Sequence, residues 1–416
     1  MIELKSGLFS VRDRMSSASE TTLEIPAGFR ATAVKAGIKP SGGLDLAVIA
    51  SDHPCAAAGT FTTNRVCAAP VRWDQALVPS DSIRAIVVNA GNANAATGAQ
   101  GEANAAATAT FAAEHLACLP QHVLVASTGV IGHQLPMDNL RDGLARALAS
   151  LSGEAEQFAE AARAIMTTDT RPKVVSLRQD LDGRSTALLG LAKGAAMIGP
   201  RMATMLAFLV TDARVAPTDL QAILSEAVES TFNCISVEGH TSTNDTVLLL
   251  ANGAAGGEPL QGEALAKFAA SVQSTCQTLA RMIPDDGEGA THLITIDVEG
   301  ARDREEARTI ARAVADSPLV KTAVAGADPN WGRIVSAAGY SGVPFEEQEL
   351  SLWLNNTPLY RDGVPLNFDA AAVSAHLRAE RETTIRLTLK RGSGSIRFWT
   401  CDLTAEYVRL NADYTT

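Results

Sequence analysis

A chain of 416 residues is longer than one hydrophobic core usually grows, so it predicts either two lobes or one large layered body. A formal charge of −11, with no block of Lys or Arg, argues against nucleic acid as a partner. The six cysteines never form a C-x-x-C pair and the seven histidines never fall at H-x-x-x-H spacing, so neither a disulfide framework nor a metal site is expected.

The first twenty residues carry scattered charges and no apolar stretch of signal-peptide length, and the longest apolar runs, such as Met205–Val210, fall far short of the roughly 20 residues a membrane span needs. A cytoplasmic protein without a membrane partner is therefore the expectation. Short apolar runs bounded by turn residues predict strands, and longer amphipathic runs predict helices. In chain order these are strands at Leu44–Ala50 and Arg84–Asn89, a helix at Gly101–Leu116, a strand at Val123–Ser127, and helices at Met137–Leu151 and Glu154–Met166. Strands follow at Thr186–Leu191 and Thr204–Thr211, then a helix at Asp219–Ser230 with a Pro217 or Thr218 start signal. A strand at Thr246–Leu250, a helix at Gly262–Met282, a strand at Leu293–Val298 and a helix at Arg304–Asp316 complete the series. Alternating strands and helices rich in Gly and Ala predict an α/β fold, a layered sheet-and-helix sandwich.

The segment LAKGAAMIGPRMATMLAFLVTDA places a Gly/Pro-punctuated loop before a strand that opens with Thr204. A hydroxyl is a poor nucleophile at neutral pH unless a base takes its proton. Cleavage between Ala203 and Thr204 would free an α-amino group within the same residue, and such a group titrates near pH 8, where it can accept and return a proton. On residue type alone a β-forming Thr in a buried strand remains the commoner case. The turn VASTGVIG offers the Thr128 hydroxyl and the Gly129 N–H as oxyanion donors, although S-T-G strings are common in ordinary turns. Lys193 suits a substrate carboxylate or a proton-steadying role, or simply a solvated surface.

Three further stretches are dense in polar residues. VNAGNANAATG holds Asn89, Asn92 and Asn94; FNCISVEGHTSTND holds Glu238, His240, Thr243, Asn244 and Asp245; PDDGEGATH holds Asp285, Asp286 and Glu288. Such loops either line pockets or satisfy their own backbones through Asx turns, and the acidic one either grips an amino group or cation or faces solvent. No P-loop and no strand-linked G-x-G-x-x-G is present, so no nucleotide cofactor is implied.

Taken in order, PAGFRATAVKAGIK, DLAVIASD, VNAGNANAATG, ASTGVIG, MTTDTRPK, KGAAMIGPRMATMLAFLVTDA, SVEGHTSTNDT, DDGEGATH, SPLVKTAVAGADPNWGRI and YVRLNADYTT resemble the ornithine acetyltransferase family almost end to end. The resemblance implies that fold, self-cleaved into an α chain of residues 1–203 and a β chain of 204–416. It implies acetyl transfer from N-acetylornithine to glutamate through an acyl-Thr204 intermediate, with Thr128 and Gly129 as the oxyanion hole. Thr167, Lys193, Thr204, Glu288, Asn411 and Thr416 are the implied substrate-binding residues, with Thr168 an alternative to its neighbour Thr167. No cofactor is implied, acetyl-CoA is open as a co-substrate, and the implied assembly is a dimer of αβ pairs.

The chain departs from the family pattern where Ala195 and Ala196 stand for Ser and Gly, Arg201 for Asn, His240 for an acidic residue and His292 for Lys. An Ala in place of Gly beside Lys193 predicts a reshaped pocket if the position needs a glycine-only conformation. A related N-acyl amino acid acyltransferase or amidohydrolase of specialised metabolism is the alternative these departures leave.

Overall fold

The computed structural model describes residues 23–199 and 205–413. Two sheets form its frame. The first contains β1 (Phe29–Val34), β2 (Leu46–Phe61), β3 (Ser80–Asn92), β4 (Val123–Val130), β5 (Lys173–Leu181), β6 (Arg184–Lys193), β7 (Leu206–Thr211) and β8 (Thr246–Ala251). Their order is β4-β3-β2-β8-β7-β6-β5, with β1 pairing the first half of β2 and β8 its second half. The second sheet runs β12-β11-β10-β13-β9-β14, from β9 (Leu293–Ala301), β10 (Ser351–Leu354), β11 (Thr357–Arg361), β12 (Val364–Pro365), β13 (Glu382–Thr388) and β14 (Gly394–Cys401).

Alternation along the strands explains the layers. Leu206, Phe208 and Val210 of β7 point to one face of the first sheet, against Leu189, Leu191, Leu248 and Leu250 and the helix Ala155–Ala164. Ala207 and Leu209 point to the other, where the helices Pro217–Ser230, Gly262–Asp285 and Arg304–Ala315 separate the two sheets. Both faces are covered, which is why β7 reads as an unbroken apolar run rather than an alternating one. Each large side chain buried this way stabilises the fold by about 1.5–3 kcal/mol. The second sheet is one-sided: Ile294, Ile296, Ile385 and Phe398 enter the shared core. On its outer face Arg397 pairs with Asp297 at 2.7 Å and Arg386 stacks on the Trp353 ring at 4.3 Å.

All seven predicted strands and all six predicted helices form, most with ends shifted by a few residues, while the strand expected at Leu44–Ala50 runs on to Phe61. The implied division between residues 203 and 204 falls between β6 and β7, which are hydrogen-bonded neighbours from Leu188↔Thr211 to Lys193↔Leu206. It is thus a boundary within the first sheet, not between layers. Among the described residues no helix is long and apolar enough to cross a membrane.

Candidate active site

The ends of β4 and β6 and the starts of β7 and β8 converge on one pocket of about 270 Å³. Thr128 and Gly129 close β4 on its wall. Gly129 has φ +131°, and a Cβ there would stand 2.3 Å from the carbonyl carbon of Gly91, so only glycine lets β3 and β4 approach at this point. The asparagines of VNAGNANAATG build the turn that faces it. Asn92 Oδ1 accepts from the Asn94 N–H at 2.8 Å, an Asx turn, while Asn89 Oδ1 accepts from Ser127 Oγ at 2.6 Å. Their amides are spent on backbone carbonyls, so they hold the strand ends beside Thr128 and Gly129 and do not line the pocket.

Lys193 ends β6 one step behind that wall. It is 1% exposed, and its Nζ donates to Thr128 Oγ1 at 3.1 Å. Burial pushes its ammonium below the ordinary lysine range, while Asp169 pulls the other way. Asp169 is the hub of the neighbouring loop: it accepts from Gly194 N at 2.6 Å, Lys173 Nζ at 2.7 Å and Thr167 N at 3.1 Å. Burial alone would raise the Asp169 carboxyl, but Lys193, Lys173 and these donors hold it down to about 2. Lys173 also donates to Asp286 at 2.6 Å, and Asp286 accepts from Thr170. This buried ion cluster welds residues 167–173 to the loop that carries Glu288. Thr167 and Thr168 both line the pocket.

Glu288 lines the pocket too, its N–H donating to the Ala195 carbonyl at 3.0 Å and its Oε2 accepting from Asn411 Nδ2 at 2.7 Å. Asn411 is brought there by the last helix, Ala405–Asp413, whose Tyr407 adds an aromatic wall. Asp285 and Asp286 do not reach the pocket. Asp285 is taken by Arg171 and Arg381 and Asp286 by Lys173, so of the acidic triplet only Glu288 is available to a ligand. The segment before β8 supplies Glu238, His240, Ser242, Thr243 and Asn244. Asn244 Nδ2 donates to the Ala93 and Ser127 carbonyls at 2.6 and 2.8 Å, tying this segment to β4. Asp245 accepts from the Met205 N–H at 3.2 Å beside the start of β7, and burial raises its carboxyl well above the usual range.

Of the departures, the alanines after Gly194 lose their expected effect, and His292 stands away from the pocket. The left-handed residues in the 194–197 turn are Gly194 (φ +146°) and Met197 (φ +57°), so Ala195 and Ala196 occupy positions that an L residue adopts without strain. His292 does not enter the pocket: Nδ1 meets Asp402 Oδ2 and Nε2 meets the Leu377 carbonyl, each at 2.9 Å. Ala203, Thr204, Arg201 and Thr416 lie outside the described residues. Of the remaining implied site residues, Thr128, Gly129, Thr167, Glu288 and Asn411 share the wall and Lys193 backs it. Asp169, Lys173 and Tyr407 carried no assigned role; MTTDTRPK and YVRLNADYTT contain them, but nothing in their spacing signals the pairing.

The fold and pocket define a layered α/β protein with a small, charged, largely preformed pocket at the edge of its first sheet, of the size and polarity that suit an amino acid. The ArgJ family matches residues 30–416, and the chain belongs to that family. The arginine biosynthesis bifunctional protein ArgJ of Dehalococcoides mccartyi (strain CBDB1) is 47% identical over 408 residues, covering 97% of this chain and 99% of that one. Its namesake from Lactococcus lactis subsp. lactis is 46% identical over 397 residues, covering 95% and 98%. Among solved structures, an ornithine acetyltransferase from Mycobacterium tuberculosis, complexed with ornithine, is 39% identical and covers 43% of this chain and 94% of its own, with a TM-score of 0.38.

Proposed function

We propose that the protein is a glutamate N-acetyltransferase that moves acetyl from N-acetylornithine to glutamate. The observation that carries this reading is membership of the ArgJ family across nearly the whole chain, with 47% identity to a relative named for arginine biosynthesis. The pocket supports it by gathering Thr128, Gly129, Thr167, Glu288 and Asn411 near the start of β7, which begins two residues after Thr204.

In this reading the chain cuts itself between Ala203 and Thr204. Both pieces stay associated because β7 is hydrogen-bonded between β6 and β8 whether or not the loop before it is intact. The Thr204 hydroxyl adds to the acetamide carbonyl of N-acetylornithine, its proton passing to the newly freed α-amino group. The Thr128 hydroxyl and the Gly129 N–H stabilise the oxyanion. Collapse breaks the C–N bond, and the proton leaves on the ornithine nitrogen. The amine of glutamate then attacks the acetyl ester, and the Thr204 oxygen recovers a proton as N-acetylglutamate departs. No step consumes a cofactor, and acetyl-CoA enters only if it acylates Thr204 in place of N-acetylornithine. A dimer of αβ pairs in the cytoplasm is part of the same proposal.

The test is the intact mass of the wild-type protein beside Thr204→Ala, followed by transfer assays. Two fragments meeting at residues 203 and 204, absent from the variant, together with N-acetylglutamate formed only when glutamate is added, is the expected result. Release of acetate at the same rate without glutamate would make the enzyme a hydrolase. Parallel assays with acetyl-CoA decide the second donor.

A further inference from the structure

The transfer proposed above brings glutamate, with two carboxylates, into a pocket that also admits the ammonium of N-acetylornithine. Among the described residues the wall carries one accessible carboxylate, Glu288, and no lysine or arginine. The carboxyl oxygens of Glu238 are buried away from the cavity, with the backbone N–H groups of Ile198 and His240 turned toward them. Lys193 is 1% exposed and stands behind Thr128. An anionic acceptor entering such a wall meets like charge from Glu288, and it needs a compensating donor on the wall itself.

His240 is placed to supply that donor. It is exposed and lines the pocket, and its ring is bonded to no other described residue. Its neighbours on the same segment are already engaged: Thr243 Oγ1 donates to Asn244 Oδ1, and the Asn244 amide serves the Ala93 and Ser127 carbonyls. An imidazole carries one N–H in either neutral tautomer and two when protonated, so it offers a carboxylate a donor in every state.

We propose that His240 selects the acceptor, its ring N–H donating to the side-chain carboxylate of glutamate while the glutamate amine attacks the acetyl ester. This rests on the acetyl-transfer reading. Glu288 then serves ammonium groups and His240 serves carboxylates, so one pocket holds both substrates in turn without either wall residue changing its role.

The backbone holds the ring at the pocket before any ligand arrives. On one side the Ile198 carbonyl accepts from the N–H groups of Val237, Glu238 and Gly239 at 2.8, 3.2 and 3.0 Å. On the other, Asn64 Nδ2 donates to the Thr241 carbonyl at 2.9 Å and Thr62 Oγ1 to the Ser242 carbonyl at 2.6 Å. Gly199 packs against this turn because it has no side chain: a Cβ there would stand 2.5 Å from the Gly239 carbonyl carbon and 2.8 Å from the His240 nitrogen. With its backbone pinned on both sides, His240 has little freedom left to lose on binding, so most of the hydrogen bond it makes appears as selectivity.

The test is the second-order rate constant for attack of an acceptor on the self-cleaved, pre-acetylated enzyme. Glutamate is compared with norvaline, which keeps the carbon chain and has a methyl group in place of the side-chain carboxylate. His240→Ala should slow glutamate about tenfold to a hundredfold, the scale of one hydrogen bond to a charged group, and norvaline by less than about twofold. His240→Asp should slow glutamate further through like charge, whereas His240→Lys, which puts a cation at the same place, should keep a preference for glutamate over norvaline. Acylation by N-acetylornithine should change by less than about twofold in His240→Ala, because the ring N–H has no part in holding an ammonium. His240 is exposed, so none of these substitutions removes core packing. Arg201→Gln is measured alongside, since Arg201 is the other cation close to the nucleophile in sequence. Equal losses with both acceptors, no loss with glutamate, or a glutamate-specific loss in Arg201→Gln but not in His240→Ala would overturn the assignment and leave the transfer reading intact. A wild type that passes no acetyl from N-acetylornithine to glutamate would overturn both.

Discussion

Lys193 Nζ donates to Thr128 Oγ1 at 3.1 Å, so the Thr128 hydroxyl accepts from behind and keeps its own hydrogen for the pocket. That relationship converts a threonine on a strand end into a directed donor, with Lys193 as its positioning residue. Thr128→Val should lower kcat by about 10²–10³, the usual cost of losing one oxyanion donor, with little change in KM. Lys193→Met should lose a similar amount, and the double variant should be no worse than the poorer single one, because both act through one hydroxyl. Additive losses in single-turnover acylation would show that Lys193 acts on the substrate directly.

Gly129→Ala tests the same wall through the backbone. The added Cβ would sit 2.3 Å from the Gly91 carbonyl carbon, and φ +131° disfavours any L residue. The strand ends must part to admit it, and a shift of even 1 Å at a reacting centre costs about 10²-fold. The expected variant folds, as circular dichroism would show, but acylates about 10²-fold more slowly; unchanged acylation would place the oxyanion donors elsewhere.

The layers and the pocket's main walls were legible in the sequence because their signals are local. Leu206–Thr211 and Thr246–Ala251 are apolar and doubly buried, and Thr128-Gly129 falls at the end of a short apolar strand. Two of the strands that escaped notice are open on one side or both: Lys173–Leu181 carries Arg178, Gln179 and Asp180 at a sheet edge, and Glu382–Thr388 alternates buried and open positions. The ion cluster was invisible for another reason. Lys173 and Asp286 are 113 positions apart, and only the fold brings them to 2.6 Å. Sequence spacing likewise gave no hint that Asn411 would reach Glu288, 123 positions away, which the family resemblance alone implied.

Asp169→Asn should expose the energetic weight of that cluster. Removing one partner of a buried pair leaves the others uncompensated, at a cost of about 3–5 kcal/mol. Its carboxyl is held down to about 2 in the folded protein, below its unfolded value. Its contribution is therefore fully present above the unfolded value, near pH 4, and is lost as pH falls toward 2. Urea unfolding between pH 3 and 6 should show the wild-type advantage over Asp169→Asn shrinking toward the acid end. A gap that stays constant over that range would mean the carboxyl titrates normally.

Asn411→Leu removes the amide that holds Glu288 at 2.7 Å without touching the loop before β7. Self-cleavage should proceed at the wild-type rate, while KM for N-acetylornithine rises about tenfold through a misplaced carboxylate. A truncation ending before Asn411 should do the same more severely. Normal Michaelis kinetics in either protein would remove the last helix from the substrate site.

His292 lies in the loop that follows Glu288 and is held between Asp402 and the Leu377 carbonyl. The hydrogen bond to Asp402 raises its ring above the usual histidine range, although burial works against the rise. A raised folded-state value means the protonated ring stabilises the fold below the unfolded value, near 6.5, and that this stability disappears as pH climbs through the folded value. Thermal unfolding from pH 5.5 to 9 should therefore show a decline on the alkaline side that His292→Gln lacks. Because His292 stands outside the pocket, the variant should keep the wild-type KM for both substrates at pH 7. A large rise in either constant, with stability unchanged, would mean that the ring's role is to position Glu288 rather than to tie the start of β9 to Asp402 and to the helix Ala370–Ala379.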